Sequence, residues 1–209
     1  MEVYFIHIDN FIWSQSMEED LLSFPESIHQ KINAYKSLEH KIHDYYGKKI
    51  IQFLLQKYQP NYSLHDLEYT EKGKPYFGAA FDINISHSGN FVVGVYIENA
   101  LVGIDIEKHR NVKVSDFEKY FSENEWNTIQ YTENPLITFF DFWAIKESAI
   151  KCNGNGFTVL SKTKIFEDYR IQCVDEIYFY RQISININYS CSVCSNTLIE
   201  TVNLVEINL

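Results

Sequence analysis

Three strand-like stretches follow one another in the middle of this chain with very short connections. They lie at about 81–86, 91–97 and 101–107, and only the turn residues of 88–90 and 98–100 separate them. A parallel neighbour needs a crossover of about a dozen residues or more, so connections this short allow only antiparallel neighbours. The middle of the chain is therefore predicted to form an antiparallel meander.

Helical patterns flank this meander on both sides. Capping-box sequences at Ser16, Ser115 and Ser122 predict helix starts, because each serine and the glutamate three residues later satisfy N–H groups of the first turn. Another helix is predicted to begin at Pro25, and a long one follows it. The last helical pattern runs from about residue 136 to 152, where a glycine-rich turn stops it.

From residue 164 onward the chain again alternates between apolar and polar residues, for example in 183–188. A period of two residues is typical of strands. Each half of the chain thus contains a strand, then helices, then a group of strands. The fold class predicted from this layout is α+β.

Composition narrows the classes of function. A net charge of −10 argues against a nucleic-acid partner or a membrane surface, and any phosphate site must be built from local lysines and histidines. No apolar run reaches the length of a membrane span, and no signal-peptide pattern is present. Cysteines stand at 152, 173, 191 and 194; free thiols are expected, with Cys191 and Cys194 on opposite faces of one strand. These features predict a cytoplasmic protein.

The third strand of the predicted meander carries two carboxylates. In 102–107, Asp105 and Glu107 share one face, because side chains alternate along a strand. Asp105 is expected to face solvent before any ligand binds. The two carboxylates repel each other unless a cation lies between them.

The last helix adds a third carboxylate and a lysine. Trp143, Glu147 and Lys151 recur at intervals of four residues, so they share one helix face. Three carboxylates suit a hard cation such as Mg²⁺, which keeps waters and takes substrate phosphates as further ligands. Two simpler interpretations stay open: a solvated sheet face for the strand, and a surface Glu–Lys pair for the helix.

Four motifs together indicate a family. They are Gly73-Lys-Pro75, Asn84-Ile-Ser-His-Ser-Gly89, Gly103-Ile-Asp-Ile-Glu107, and the stretch from Trp143 to Lys151. In these motifs, their order and their approximate spacing, the chain resembles the Sfp-type 4'-phosphopantetheinyl transferases over about residues 1–165. The resemblance implies two similar α/β lobes related by a pseudo-twofold axis, with an antiparallel sheet and a long helix each. The lobes would comprise residues 1–102 and 103–209, with the active site between them.

The resemblance also implies a reaction. Phosphopantetheine would move from coenzyme A to a serine of an apo acyl or peptidyl carrier protein, releasing adenosine 3',5'-bisphosphate. Asp105, Glu107 and Glu147 would hold Mg²⁺, although Mn²⁺ stays open. Glu147, or a water that it holds with the metal, would be the base, and Lys151 would act on the leaving α-phosphate oxygen.

The 3'-phosphate of coenzyme A would lie on Lys74 and His87, as in the family, and Lys31 stands where the family places another basic residue. One position departs from the pattern. His43 stands four residues before Gly47, where many relatives have an arginine that contacts the coenzyme. A titratable imidazole would therefore replace a permanent charge, Lys41 would substitute for the arginine, or the phosphate clamp would be weaker than in those relatives.

Two other classes of function remain open from the sequence. One is a module that binds coenzyme A or a carrier without chemistry, and the other is a different Mg²⁺-dependent pyrophosphate-cleaving enzyme. The chain contains no P-loop sequence, which makes a nucleoside triphosphatase a poor candidate. A monomer is expected. Carriers of fatty-acid, polyketide and peptide synthesis all fit the implied partner.

Overall fold

The computed structural model describes residues 1–78 and 80–208. Its α-helices are α1 (Gln15–Leu21), α2 (Glu26–Ala34), α3 (Leu38–Tyr58), α4 (Glu123–Tyr131) and α5 (Pro135–Asn153). Its strands are β1 (Glu2–His7), β2 (Glu68–Tyr69), β3 (Pro75–Tyr76), β4 (Phe81–Ser88), β5 (Phe91–Glu98), β6 (Val102–Lys108), β7 (Thr163–Ile165), β8 (Arg170–Cys173), β9 (Glu176–Gln182), β10 (Tyr189–Ser195) and β11 (Asn203–Glu206).

The strands form two main sheets and one small hairpin. The first sheet has the order β11-β1-β5-β4, and the second has the order β6-β10-β9-β8-β7. All neighbours are antiparallel except β1 and β11, which run parallel. With α3 on the first sheet and α5 on the second, the α+β class and the two-lobed architecture predicted from the sequence are confirmed.

The predicted three-stranded meander is correct only for its first two strands. β4 and β5 form the expected hairpin, with Ser88 opposite Phe91 at its tight end. The far edge of β5 is occupied by β1, since Val3 pairs with Val95. No edge of β5 is left for β6, which instead pairs with β10 in the second sheet.

Three hydrophobic clusters hold these layers together. One lies between α3 and the first sheet and includes Tyr4 and Leu54, and a second lies between α5 and the second sheet. The third fills the space between the two sheets with residues such as Val95, Ile104 and Val193. The predicted lobe of residues 103–209 includes β11, which lies in the first sheet, and the boundary at 102 stays a prediction.

Helix starts were predicted with mixed success. Ser122 caps α4 in the predicted capping box with Glu125. α1 begins earlier than expected, because Ser14 accepts from Met17 N and Ser16 falls within the first turn. The box at Ser115 is wrong, since that residue lies inside a 3-10 helix, Val114–Tyr120, that brings Phe117 against aromatic side chains of α5.

The end of α5 and the cysteines agree with the sequence interpretation. α5 stops at Gly154, whose φ of 81° is readily adopted only by glycine. Cys191 packs between the sheets and Cys194 against α5, so they face opposite sides of β10. All four cysteines are free and buried. Among the described residues, no helix combines the length and the apolar character needed to cross a membrane.

Candidate active site

A row of side chains from β4 holds the neighbouring edge strand β6. The two strands belong to different sheets, so they lack a shared backbone ladder, yet polar side chains of β4 accept hydrogen bonds from N–H groups of β6. The pairs are Asp82 with Val102 at 2.8 Å, Asn84 with Ile104 at 2.9 Å, and Ser88 with Lys108 at 3.0 Å. The alternating Asn-Ile-Ser-His-Ser motif therefore fixes the strand that carries Asp105 and Glu107.

Ser86, which lies between Asn84 and Ser88 on the same face of β4, connects Asp105 to Lys151. Its Oγ donates to Asp105 Oδ1 at 3.0 Å and accepts from Lys151 Nζ at 2.8 Å. Lys151 Nζ also donates to Asp105 Oδ1 at 2.7 Å. The two lobes are thus joined at the site itself, because Ser86 lies on β4 and Lys151 on α5.

The expectation that Asp105 faces solvent is wrong. Its exposed fraction is 4 %, because β4 covers one side of β6 and α5 the other. Oδ1 is held by Ser86 and Lys151, whereas Oδ2 is buried and has no hydrogen-bond partner among the described residues. Burying a carboxylate oxygen without a hydrogen-bond partner is energetically unfavourable. A cation bound to Oδ2 would compensate for the missing hydrogen bond.

Asp105, Glu107 and Glu147 line one cavity of 350 Å³, together with Lys151. Burial, and then the charge of Asp105, raises the pKa of Glu147 to about 7. The same two causes raise the pKa of Glu107. The carboxylates therefore repel one another in a partly dehydrated space, as the sequence pattern suggested.

This donor set fits a hard divalent cation. Asp105, Glu107 and Glu147 share the cavity with a fourth carboxylate, that of Asp44, and Asp105 Oδ2 is free to coordinate. Within the described residues, however, acidic, histidine and cysteine side chains form no ready-made cluster of three ligands. Lys151 holds the other oxygen of Asp105, and Arg110 lies 3.3 Å from Glu107. The Mg²⁺ site stays a prediction.

A second cavity, of 330 Å³, adjoins the first and shares Glu147 and Lys151 with it. Five of its lining residues are lysines: Lys31, Lys48, Lys72, Lys74 and Lys151. Only two carboxylates, those of Asp44 and Glu147, oppose them there. An acidic chain thus concentrates positive charge in one cleft between the lobes, which suits a polyanion.

Lys74, predicted to hold phosphate, is already saturated in this structure. Its Nζ donates to Asp82 Oδ2 at 2.5 Å and to the carbonyl oxygens of Val102 and Cys152, each at 3.1 Å. These partners come from β4, β6 and the end of α5. An ammonium has three N–H donors, so Lys74 ties the two lobes together with all of them.

Lys48 and Asp44 are functional candidates that the sequence interpretation missed. Lys48 is 2 % exposed and pairs with Asp44 at i, i+4 on α3. Lys31 lies 3.4 Å from the same carboxylate and 5.5 Å from the ring of Tyr69, beside the cavity. An i, i+4 pair looks the same in sequence whether it is solvated or buried, so no local signal revealed it.

His43 and His87 stack on each other, with ring centroids 4.4 Å apart. His43 is 2 % exposed, which rules out a solvated helix position, and its Nε2 donates to Gly89 O at 2.7 Å. Burial lowers the pKa of His43. His87 is exposed at the rim of the cleft. Desolvation by the surrounding cleft, and then the charges of His43 and Lys151, lowers its pKa to about 4. Without ligand, both rings are therefore neutral at pH 7.

This neutrality gives a prediction for the free protein. We expect the ring protons of His87 to show no titration step between pH 8 and 6 in NMR spectra, and those of His43 to titrate below the ordinary histidine range. A midpoint above 6 for His87 would contradict the cleft environment described above. Such a result would restore a charged imidazole as a phosphate ligand of the free enzyme.

Comparison with known proteins agrees with this geometry. The family model of the 4'-phosphopantetheinyl transferase superfamily matches residues 101–193. The chain is 30% identical over 200 residues to 4'-phosphopantetheinyl transferase gsp of Aneurinibacillus migulanus, covering 90% of this chain and 80% of that protein. It is 27% identical to the transferase ffp of Bacillus subtilis (93% and 92% covered) and 29% identical to Sfp of Bacillus subtilis strain 168 (76% and 73%).

The matched region contains β6 and α5, the two elements that supply the carboxylates and Lys151. The first relative is matched over most of its own length, so the similarity extends well beyond these motifs. The chain therefore belongs to the Sfp-type 4'-phosphopantetheinyl transferases.

Proposed function

We propose that this enzyme transfers the 4'-phosphopantetheine group of coenzyme A to a serine hydroxyl of an apo carrier protein and releases adenosine 3',5'-bisphosphate. The observation that carries the proposal is the shared cleft. Four carboxylates and Lys151 line one cavity, and five lysines, Lys151 among them, line the adjoining one. Coenzyme A needs both, because it brings a pyrophosphate to be cleaved and a separate 3'-phosphate to be held.

The lysine-lined cavity is the proposed seat of the coenzyme phosphates. Lys31 and Lys48 already share the single carboxylate of Asp44, so their positive charge exceeds the negative charge beside them. Lys72 lines the same space. We keep Lys74, His43 and His87 as phosphate-binding candidates, although Lys74 must exchange a partner and the rings must gain a proton to contribute charge.

Glu147 is the proposed proton acceptor. The serine oxygen attacks the β-phosphorus, the bond from that phosphorus to the bridging oxygen breaks, and the serine proton moves to the Glu147 carboxylate. Glu147 lies on α5 and lines both cavities. It can therefore contact the attacking serine and the coenzyme phosphates at the same time. Positioned general bases contribute about 10²- to 10⁴-fold in rate.

Lys151 is the proposed partner of the leaving oxygen. Burial would lower the pKa of Lys151, but Asp105 and the other carboxylates raise it overall. The ammonium therefore stays charged and can stabilise the negative charge on the departing α-phosphate oxygen. Ser86 holds it in place from the opposite lobe, and Asp105 holds it from β6 of the same lobe.

Asp105, Glu107 and Glu147 would hold Mg²⁺, which would supply neutralisation of the negative charge on the pyrophosphate. Asp105 must turn one oxygen away from Lys151 or use its unpartnered Oδ2.

The protein is proposed to act as a cytoplasmic monomer without a nucleic-acid or membrane partner. The net charge of −10 supports the last two points.

Mass spectrometry of intact carriers tests the function. The enzyme, coenzyme A and Mg²⁺ are incubated with apo carriers of the fatty-acid, polyketide and peptide-synthetase types. We expect a mass gain of one phosphopantetheine on at least one carrier, together with adenosine 3',5'-bisphosphate. A chelator should abolish both products, and Mg²⁺ should restore them.

The same experiment separates the alternatives. Nucleotide release without any carrier modification would support a pyrophosphate-cleaving enzyme. Coenzyme binding without either product would support a binding module. A serine-to-alanine carrier is the control, because it keeps the docking surface and removes the acceptor hydroxyl.

A further inference from the structure

Lys146 is the one charged residue between Trp143 and Lys151 that faces away from the site. Its side chain is fully buried on the far side of α5. Nζ lies 2.9 Å from Glu125 Oε2 and donates to Thr163 O at 2.8 Å. It also lies 5.3 Å from the ring centroid of Phe121.

Glu125 connects this lysine to two other elements. Its Oε2 accepts from Ser122 N at 2.7 Å, at the start of α4, and its Oε1 accepts from Ile165 N at 2.8 Å, at the end of β7. The carboxylate is 5 % exposed, so both charges of the pair are dehydrated. One buried ion pair thus fixes α5 against α4 and β7.

Stability alone does not account for such a pair. Dehydrating two charges is costly, and apolar residues of similar volume often replace a buried pair without loss of stability. The surrounding core is already apolar, with Phe139, Ile145 and Ala149 on the same helix. Apolar packing is non-directional, whereas hydrogen bonds to fixed partners define how far a helix is rotated about its axis.

We propose that Lys146 is a positioning residue that sets the rotation of α5 and thereby aims Glu147 and Lys151 into the cleft. The inference rests on the proposed function. Lys146 and Glu147 are consecutive, so about 100° of helix rotation separates them. Side-chain ends lie about 5–6 Å from a helix axis, so a 15° rotation would move them by roughly 1.5 Å. Misplacement by about 1 Å can cost about 100-fold in rate.

The test compares three variants with wild type in the carrier assay. The double variant Lys146→Met/Glu125→Gln removes both charges, keeps the volumes similar, and leaves an amide oxygen to accept from Ile165 N. Glu125→Asp keeps the charges but shortens the link by one methylene. Ile145→Val is the stability control, since it trims a buried side chain of the same helix and leaves the ion pair intact.

For the double variant we expect kcat to fall about 30-fold or more, with the KM for coenzyme A within about twofold. Its melting temperature should fall moderately, because the glutamine amide has one oxygen for the two backbone N–H groups that Glu125 holds. Glu125→Asp should show a smaller fall in kcat. Ile145→Val should lose stability and keep kcat. This kcat loss without KM loss is the outcome that a merely structural pair would not produce.

Two results would overturn the proposal. One is a folded double variant with the kcat of wild type, and the other is a kcat loss in Ile145→Val equal to that of Glu125→Asp. If the double variant does not fold, the comparison of kcat between Glu125→Asp and Ile145→Val still tests the positioning role of Lys146. Wild type runs in every assay, so an inactive wild type would count against the proposed function rather than against Lys146.

Discussion

Replacement of Glu147 with glutamine is expected to slow transfer to the carrier by about 10²- to 10⁴-fold while the protein stays folded. Glutamine has nearly the same shape as glutamate but neither accepts a proton nor carries charge. The change also relieves repulsion, since Asp105 and burial already disfavour the charged form of Glu147. Stability should therefore be equal to that of wild type or higher.

Single-turnover rates measured with saturating coenzyme A and apo carrier provide the readout, with thermal unfolding alongside. Glu133→Gln is the matched control, because it is the same substitution at an exposed position just before α5. A Glu147→Gln rate within threefold of wild type would remove Glu147 from proton transfer. The base would then have to be sought elsewhere in the cleft.

The elements that carry the chemistry were predictable because their signals are local. Alternation along β6 put Asp105 and Glu107 on one face, and the spacing of four residues brought Glu147 and Lys151 together on α5. The structure places all four on one cavity. The end of α5 was likewise predictable, because glycine readily adopts the left-handed conformation that Gly154 has after the helix.

The predictions that were wrong concern features that depend on residues far apart in the sequence. The position of β6 depends on β1 occupying the edge of β5, which involves residues almost a hundred positions apart. The burial of Asp105 depends on β4 and α5 packing on either side of it. The alternation along β6 was therefore interpreted correctly, but the solvent exposure of Asp105 was not. A substitution at Asp105 would also leave Lys151 without its buried partner.

Lys74 is the case in which family resemblance and geometry suggest different roles. Replacement of Lys74 with methionine is expected to reduce the free energy of unfolding by about 3–5 kcal/mol, because it leaves the carboxylate of Asp82 buried and unpaired. Lys72→Met is the matched control in the same cavity. Lys72 is exposed and should change stability by less than about 0.5 kcal/mol.

The effect of Lys74→Met should grow with pH. Burial already raises the pKa of Asp82, and the loss of Lys74 would raise it further. A carboxyl whose pKa is higher in the folded state destabilises the fold only where it is ionised, so the stability deficit should be small near pH 4 and increase as pH rises. Urea unfolding at pH 5 and pH 7 would measure it.

Coenzyme binding separates the two roles of Lys74. If it only joins the lobes, Lys74→Met should weaken coenzyme A binding no more than Lys72→Met does, once both proteins are fully folded at low temperature. If it is also a phosphate ligand, Lys74→Met should lose more affinity than Lys72→Met, and bound coenzyme A should stabilise it less than it stabilises wild type. Unchanged stability with a large affinity loss would instead show that the contacts with Asp82, Val102 and Cys152 are dispensable and that the family role alone explains this lysine.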